Sequence, residues 1–261
     1  MKKRIKNKII SILIISILFI VIGINLISAR PNGASITGSR NTTFQTTGSA
    51  TISAVAGNLT EINIYGVSIS QSWQGYMGNV TGGFQLSDSD GNIFYNWSSV
   101  SINGEVYSSR NETINWNNIQ CFNFTAAGTY ADDSSNKGNT SLYGMNVTQL
   151  ETQYNIGFDD VDGVNETFHL NDHPLFFTNS YRFDSGECPN TRILNSTGDG
   201  IFEEVLLYSP DNQDVVFTSL LHDNAIGFDG REYDFEMMVL EDGHGADVST
   251  TPYYFYVELG V

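Results

Sequence analysis

Phe202-Glu203-Glu204-Val205-Leu206-Leu207-Tyr208, followed by Pro210-Asp211-Asn212 and then Val215-Val216-Phe217-Thr218-Ser219-Leu220-Leu221, reads as a strand, a turn and a returning strand. Branched and aromatic side chains fit a pleated backbone. Proline presets the φ of a reversal, and Asp and Asn bond their own backbone there. The same rhythm recurs at Trp73–Met77, Gly83–Leu86, Ile93–Trp97, Val100–Tyr107, Thr113–Ile119, Leu175–Phe183, Tyr233–Leu240 and Tyr253–Leu259, with turns at Asp90-Gly91-Asn92 and Asp229-Gly230. Ala50–Ala56 adds a short run. Leu59–Ser70 alternates strictly, Ile62 and Ile64 and then Val67 and Ile69, with Gly66 shifting the phase as a bulge does. Strands at this spacing predict a mainly β protein, an antiparallel β-sandwich of jelly-roll or immunoglobulin-like type, built as one unit or as two packed β units.

One helix is expected in the body. Met145–Ile156 places Val147, Leu150 and Tyr154 on one face, with Asn146 as N-cap and Gly157 as the stop. The intervening stretch from Thr125 to Asn139 is small and polar and reads as an exposed loop. The chain thus divides into residues 1–29, a signal peptide or membrane anchor; 30–50, a Ser/Thr/Gly-rich leader; 51–121, a first β unit; 122–157, loop and short helix; and 158–261, a second β unit or the remainder of one domain with the first.

The amino terminus supplies the address. Lys2, Lys3, Arg4, Lys6 and Lys8 precede an uncharged stretch of 19 residues, Ile9–Ile27. That length suits a membrane anchor, whereas Ala29 offers a small residue for cleavage and Pro31 breaks any helix beyond it. Both readings export everything that follows. Contact with a membrane is expected only through residues 9–27, and only if they are retained. The part after Ala29 carries seven basic and 29 acidic residues, a net charge of −22. Such a surface repels nucleic acid and anionic lipid. It suits solubility in a salty medium or, alternatively, divalent cations.

Two cysteines, Cys121 and Cys188, permit one intramolecular pairing, and an exported protein is expected to oxidise them. Ten Asn-x-Ser/Thr sequons begin at Asn41, Asn58, Asn79, Asn96, Asn111, Asn123, Asn139, Asn146, Asn165 and Asn195. All lie on the exported side and read as glycan acceptors.

Candidate chemistry is sparse. Asp159, Asp160, Asp162 and Glu166 place four carboxylates in eight residues, a crowding that a Ca²⁺ ion would relieve. Asp88-Ser-Asp90-Gly-Asn92 has oxygen ligands at similar spacing but reads as a turn. His169 and His173 are four apart, yet Pro174 argues against a shared helical face and a hydrogen-bonding role is expected. The chain holds no G-x-S-x-G nucleophile motif and no phosphate-binding glycine loop. Glu203 and Glu204 adjoin, and on a strand they point to opposite faces, unlike a glycosidase pair. Trp73, Trp97 and Trp116 read as core packing or as a sugar-stacking platform.

Ser72-Trp73-Gln74-Gly75-Tyr76-Met77-Gly78-Asn79-Val80-Thr81-Gly82, Phe94-Tyr95-Asn96-Trp97, Gly104-Glu105-Val106-Tyr107, Phe202-Glu203-Glu204-Val205-Leu206-Leu207, Gly227-Phe228-Asp229-Gly230, Glu241-Asp242-Gly243-His244 and Pro252 to Glu258 are similar to stretches of uncharacterised exported archaeal proteins. The resemblance implies a β-rich archaeal surface protein and carries no activity. The expected function is a glycosylated extracellular structural or adhesive protein rather than an enzyme, with cell-surface components, glycans or copies of itself as partners. The alternatives are a Ca²⁺-dependent carbohydrate-binding module and a secreted hydrolase.

Overall fold

The computed structural model describes residues 30–43, 49, 51–97, 103–125, 144–157, 159–244 and 247–260. Strands follow in chain order at Asn32–Gly33 (β1), Trp73–Gly78 (β2), Phe84–Ser87 (β3), Ile93–Trp97 (β4), Gly104–Ser109 (β5), Gln120–Cys121 (β6), Phe176–Thr178 (β7), Tyr181–Phe183 (β8), Asn190–Leu194 (β9), Gly200–Ser209 (β10), Asp214–Leu220 (β11), Ala225–Ile226 (β12), Glu232–Tyr233 (β13), Phe235–Leu240 (β14) and Tyr254–Leu259 (β15). Two short helices, Val147–Gln153 (α1) and Val164–Thr167 (α2), complete a mainly β, antiparallel fold. None of the described helices is long and apolar enough to cross a membrane, and residues 1–29 lie outside the described part.

The strand, turn and strand that dominate the sequence form the centre of a seven-stranded sheet. β10 and β11 pair from Glu204↔Ser219 to Ser209↔Asp214, and Gln213 takes φ 53° to close the turn. The sheet order is β1-β15-β5-β11-β10, with β6 and β9 both on the outer side of β10. β5 sits between β15 and β11, so chain from both sides of the 122–157 segment contributes to one sheet.

Both faces of this sheet are covered, which is why β10 and β11 are apolar at consecutive positions and do not alternate. Val205, Leu207 and Val216 pack with Tyr107, Tyr256, Phe176, Phe183 and the two cysteines under the β7–β8 hairpin. Leu206, Tyr208, Val215 and Phe217 pack on the other face with Leu150 and Tyr154 of α1, Val164 of α2, Phe168, and Met237 and Val239 of β14. β14 pairs with β2 from Phe235↔Gly78 to Leu240↔Trp73, and this two-stranded ladder lies over that second face.

Helix α1 begins as expected. Asn146 accepts from Gln149 N while Gln149 Oε1 accepts from Asn146 N, a reciprocal capping box. It ends sooner than Gly157, at Tyr154, because Asn155 turns to φ 54°. Leu175–Phe183 is two strands and not one, broken by Asn179 and Ser180 at φ 47° and 69°. Thr113–Ile119 is a correction: Trp116–Asn118 form a 3-10 turn, since the Asn115 side chain accepts from Asn117 N and the Asn115 and Asn118 amides reach Asp211. Side chains that bond backbone locally outcompete the ladder there.

Leu59–Ser70 is a second correction. It has the alternation of a strand but no ladder among the described residues, and every position in it is exposed. Thr51–Ala56 likewise forms none, and Ala50, Val100, Ile102 and most of the Thr125–Asn139 loop lie outside the described residues.

Candidate functional site

Cys121 and Cys188 are joined, with Cα atoms 5.0 Å apart and both side chains buried. The bond links β6 to the segment leading into β9, on the face beneath β7–β8. His173 supports it: its buried ring accepts from Cys188 N through Nε2 at 2.9 Å, and Nδ1 donates to Pro174 O at 2.7 Å. That pattern holds the ring neutral, and burial pushes its pKa down. His169 bonds Glu166 O instead, so the two histidines act separately.

The acidic segment is split by its partners. Asp160 accepts from Gly157 N through its carboxylate and from Gly163 N through its carbonyl. Asp162 accepts the Ser70 hydroxyl at 2.6 Å, and its carbonyl accepts Trp73 Nε1–H at 2.6 Å. Partial burial raises the Asp162 carboxyl, but the bonds led by Ser70 outweigh it and hold the group below the usual carboxylate range. Asp159 is exposed.

Glu166 lies in α2, whose amino terminus is capped from a distance. Glu151 Oε1 of α1 accepts from Val164 N at 3.0 Å and from Asn165 N at 3.5 Å. Burial, aided by Glu166 and Asp160, pushes the Glu151 carboxyl up despite those bonds. Gly163 permits the approach, since a Cβ there would stand 3.1 Å from Glu151 Oε1 and closer still to Glu166. His244 approaches from the far side, 3.6 Å from Asp160 and 3.5 Å from Asp242. The structure therefore places Asp160 and Glu166 near Glu151, which the sequence reading did not nominate, sets His244 beside Asp160 alone of the four, and leaves Asp159 and Asp162 apart. Glu151 carries no local signal, being a single Glu in a short helix. Among the described residues, no group of three or more His, Cys, Asp or Glu side chains converges as a metal site.

A groove of about 530 Å³ adjoins this segment, lined by Val67, Ile69, Ser70, Trp73, Glu241 and Gly243 among others. Trp73 is not presented as a stacking surface. Its ring packs 5.9 Å from Phe168 and 6.3 Å from Phe217, and its N–H is used by Asp162. Trp116 packs between Tyr107 and Tyr256 at 4.8 and 5.2 Å. Trp97 alone of the three is exposed, beside Tyr95 on β4.

Buried carboxyls lie elsewhere. Glu105 and Glu258 are cross-strand neighbours on β5 and β15, 7 % and 4 % exposed, on the face covered by β7–β8. Tyr107 Oη donates to Glu258 at 3.0 Å, and Asn179 N donates to both its oxygens at 3.1 and 2.9 Å. Burial, then the neighbouring Glu258, drives the Glu105 carboxyl well above its ordinary range, and burial raises Glu258 as well. Glu203 and Glu204 do point to opposite faces: Glu203 meets His222 Nε2 at 2.6 Å, while fully buried Glu204 accepts from Met238 N at 2.9 Å. One oxygen of Glu204 and one of Glu236 are buried with no hydrogen-bond partner. Burial pushes the Glu204 carboxyl well above its ordinary range and raises Glu236 as well. None of Glu105, Glu204, Glu236 or Glu258 lines the groove.

The described sequon asparagines are exposed or half-buried. Asn41, Asn58, Asn79, Asn96 and Asn165 are exposed, and Asn111, Asn123, Asn146 and Asn195 are half-buried, while Asn139 lies outside the described residues. In two sequons the carboxamide oxygen accepts the hydroxyl of its own threonine, Asn123 from Thr125 at 3.1 Å and Asn195 from Thr197 at 2.8 Å. Asn111 is engaged differently, its amide donating to Asp214 at 3.0 Å beside the Arg110–Asp214 ion pair.

Compared with protein-family models, with curated proteins and with solved structures, the chain matches none.

Proposed function

We propose that this is an exported, glycosylated, disulfide-bonded protein of an archaeal cell surface, with a structural or adhesive role on a β-sandwich framework. The observation that carries the reading is the placement of the acceptors: all nine described sequon asparagines are exposed or half-buried, although Asn146 and Asn165 lie at or in helices and Asn111, Asn123 and Asn195 closely follow strands of the central sheet. A covalent bridge in the core and a net charge of −22 after Ala29 support an oxidising, ion-rich exterior.

The carbohydrate-binding alternative draws on the groove beside Trp73, but that ring is committed to the core and Asp160 and Asp162 turn to separate partners. The hydrolase alternative draws on Glu105 and Glu258, which are sealed between the sheet and β7–β8, where a general acid and base meet no substrate.

Fractionation of the native host, followed by intact-mass measurement, tests the proposal. The expected result is a surface-associated or released chain heavier than its polypeptide by several glycans. An intracellular chain with the bare polypeptide mass sinks it.

A further inference from the structure

Between residues 52 and 97 thirteen large apolar side chains are 49 % or more exposed. Eight belong to the extended arm that precedes β2, among them Ile52 (67 %), Leu59 (101 %), Ile62 (53 %), Ile64 (88 %), Val67 (57 %) and Ile69 (49 %). The other five lie on the β3–β4 hairpin that follows β2, where Phe94 is 84 % exposed. At roughly 60–120 Å² of apolar surface per such side chain, scaled for partial exposure, the total is on the order of 500–1,000 Å². Monomers rarely leave that much apolar surface exposed along one stretch of chain, and about 800 Å² per partner is what a stable interface covers.

The arm has the chemistry of a strand that has not found its neighbour. Leu59–Ile69 alternates apolar and polar positions about Gly66, and residues 51–97 hold three acidic residues and no basic ones. A complementary edge exists on the same chain. β2 pairs with β14 on one side, and among the described residues its other side pairs with no strand.

The arm cannot reach that edge in its own molecule. Three residues, Ser70–Ser72, separate it from β2, and all are committed elsewhere: Gln71 O accepts from Gly243 N and Ser72 O from Glu241 N, both on the β14 side, and Ser70 donates to Asp162. They continue toward the chain that follows β14 and are not available as a hairpin turn. We infer that the arm Leu59–Ile69 of one molecule adds as a strand to the open edge of β2 in a second copy, burying the β3–β4 hairpin in the same contact.

A second copy fits better than a partner of other chemistry. Two bodies of net charge −22 repel, so a self-contact requires an almost uncharged surface, and the arm and hairpin supply it. Main-chain hydrogen bonds along an added strand supply affinity, and the alternating apolar side chains set the register. This deepens the structural role proposed above and fails separately from it. A monomeric chain that is still exported and glycosylated removes the strand exchange and leaves the surface reading standing.

The test uses the full chain with a photo-cross-linking side chain at position 64, irradiated after purification from the host. The expected product has twice the monomer mass and yields peptides joining residue 64 to residues 73–78. A product of monomer mass linking residue 64 to its own chain, or adducts to lipid or to another protein, overturns the proposal. A second variant, Ile62→Asp with Ile64→Asp, should weaken self-association at least tenfold by light scattering while leaving the circular dichroism and thermal midpoint of the body unchanged. Loss of the fold in that variant, or association equal to that of the parent, also overturns it.

Discussion

The body from β5 to β15 and the stretch from residue 51 to residue 97 treat the same kinds of side chain in opposite ways. The buried side chains of the two core clusters all lie between Val106 and Tyr256, whereas the 51–97 stretch leaves thirteen large apolar side chains at least half exposed or nearly so. Both regions are rich in branched and aromatic residues, consecutive in β10 and β11 and alternating in the arm. What differs is whether a partner surface exists on each side. β10 has β11 beside it, β14 above it and the disulfide beneath it. The arm is anchored at Ser70–Ser72, and only Val67 to Ile69 lie beside the body, along the groove with Trp73 and Glu241. Alternation therefore specifies a strand that can be paired, and the pairing itself is decided by the rest of the molecule.

The comparison breaks most sharply on a pair of truncations. Phe217→Ala removes a fully buried ring that contacts Trp73, Phe168 and Tyr253, and should cost about 3–5 kcal/mol in denaturant unfolding. Ile64→Ala, measured where the chain is monomeric, should stay within about 0.5 kcal/mol of the parent. Similar losses at the two positions would mean that the arm packs on its own body.

Reduction of the Cys121–Cys188 bond comes next. The bond closes 67 residues of chain, and its loss should destabilise the body by about 4 kcal/mol on the chain-entropy model. Non-reducing peptide mapping should recover the two cysteines joined, and the midpoint should fall on reduction. An unchanged midpoint would show that Phe176, Phe183 and their neighbours hold that face without the bond.

How much of this was legible in the sequence follows the same division. The β10–β11 hairpin could be read because turn chemistry and strand propensity agree over twenty residues, and α1 could be read because Asn146 and Gln149 form a local device. Thr113–Ile119 was misread because Ile114 and Ile119 are indeed buried while the asparagines between them bond a turn. The buried glutamates were invisible for a related reason: at Glu105, Glu204 and Glu258 a charged residue inside a strand resembles a solvent-facing position, and only the covering of both faces makes it internal. Glu151 as the cap of α2 acts across thirteen residues, beyond any local pattern.

Those glutamates give the body a pH dependence opposite in sign to that of Asp88 in the 51–97 stretch, whose carboxyl the Asn92 side chain holds low. Burial raises Glu105, Glu204, Glu236 and Glu258 above an unfolded value near 4.3–4.5. A raised folded-state pKa stabilises fully below the unfolded value, and that stability is lost as the pH climbs through the folded one. The thermal midpoint should thus be higher near pH 4.5 than at pH 8. Glu204→Gln, which keeps an acceptor for Met238 N, should flatten the profile, whereas high salt, which screens only the surface charge, should not. A profile identical in the parent and the variant would assign the dependence to surface repulsion.

The smallest effect concerns cations at the junction of the two regions, where Ser70 of the arm's root meets Asp162 of the acidic segment. A bound ion would raise stability by RT ln(1 + [L]/Kd), about 2.7 kcal/mol at a hundredfold excess over Kd. The arrangement argues for much less. Asp162 is occupied by the Ser70 hydroxyl and Asp160 by Gly157 N, and Glu151 serves as the cap of α2, so an ion would have to replace protein hydrogen bonds in order to gather them. Millimolar Ca²⁺ should therefore shift the thermal midpoint no further than monovalent salt of equal ionic strength. A larger shift in Ca²⁺, abolished by Asp160→Asn, would show that the segment rearranges around the ion, and would tie the fixing of the arm's root to cation binding.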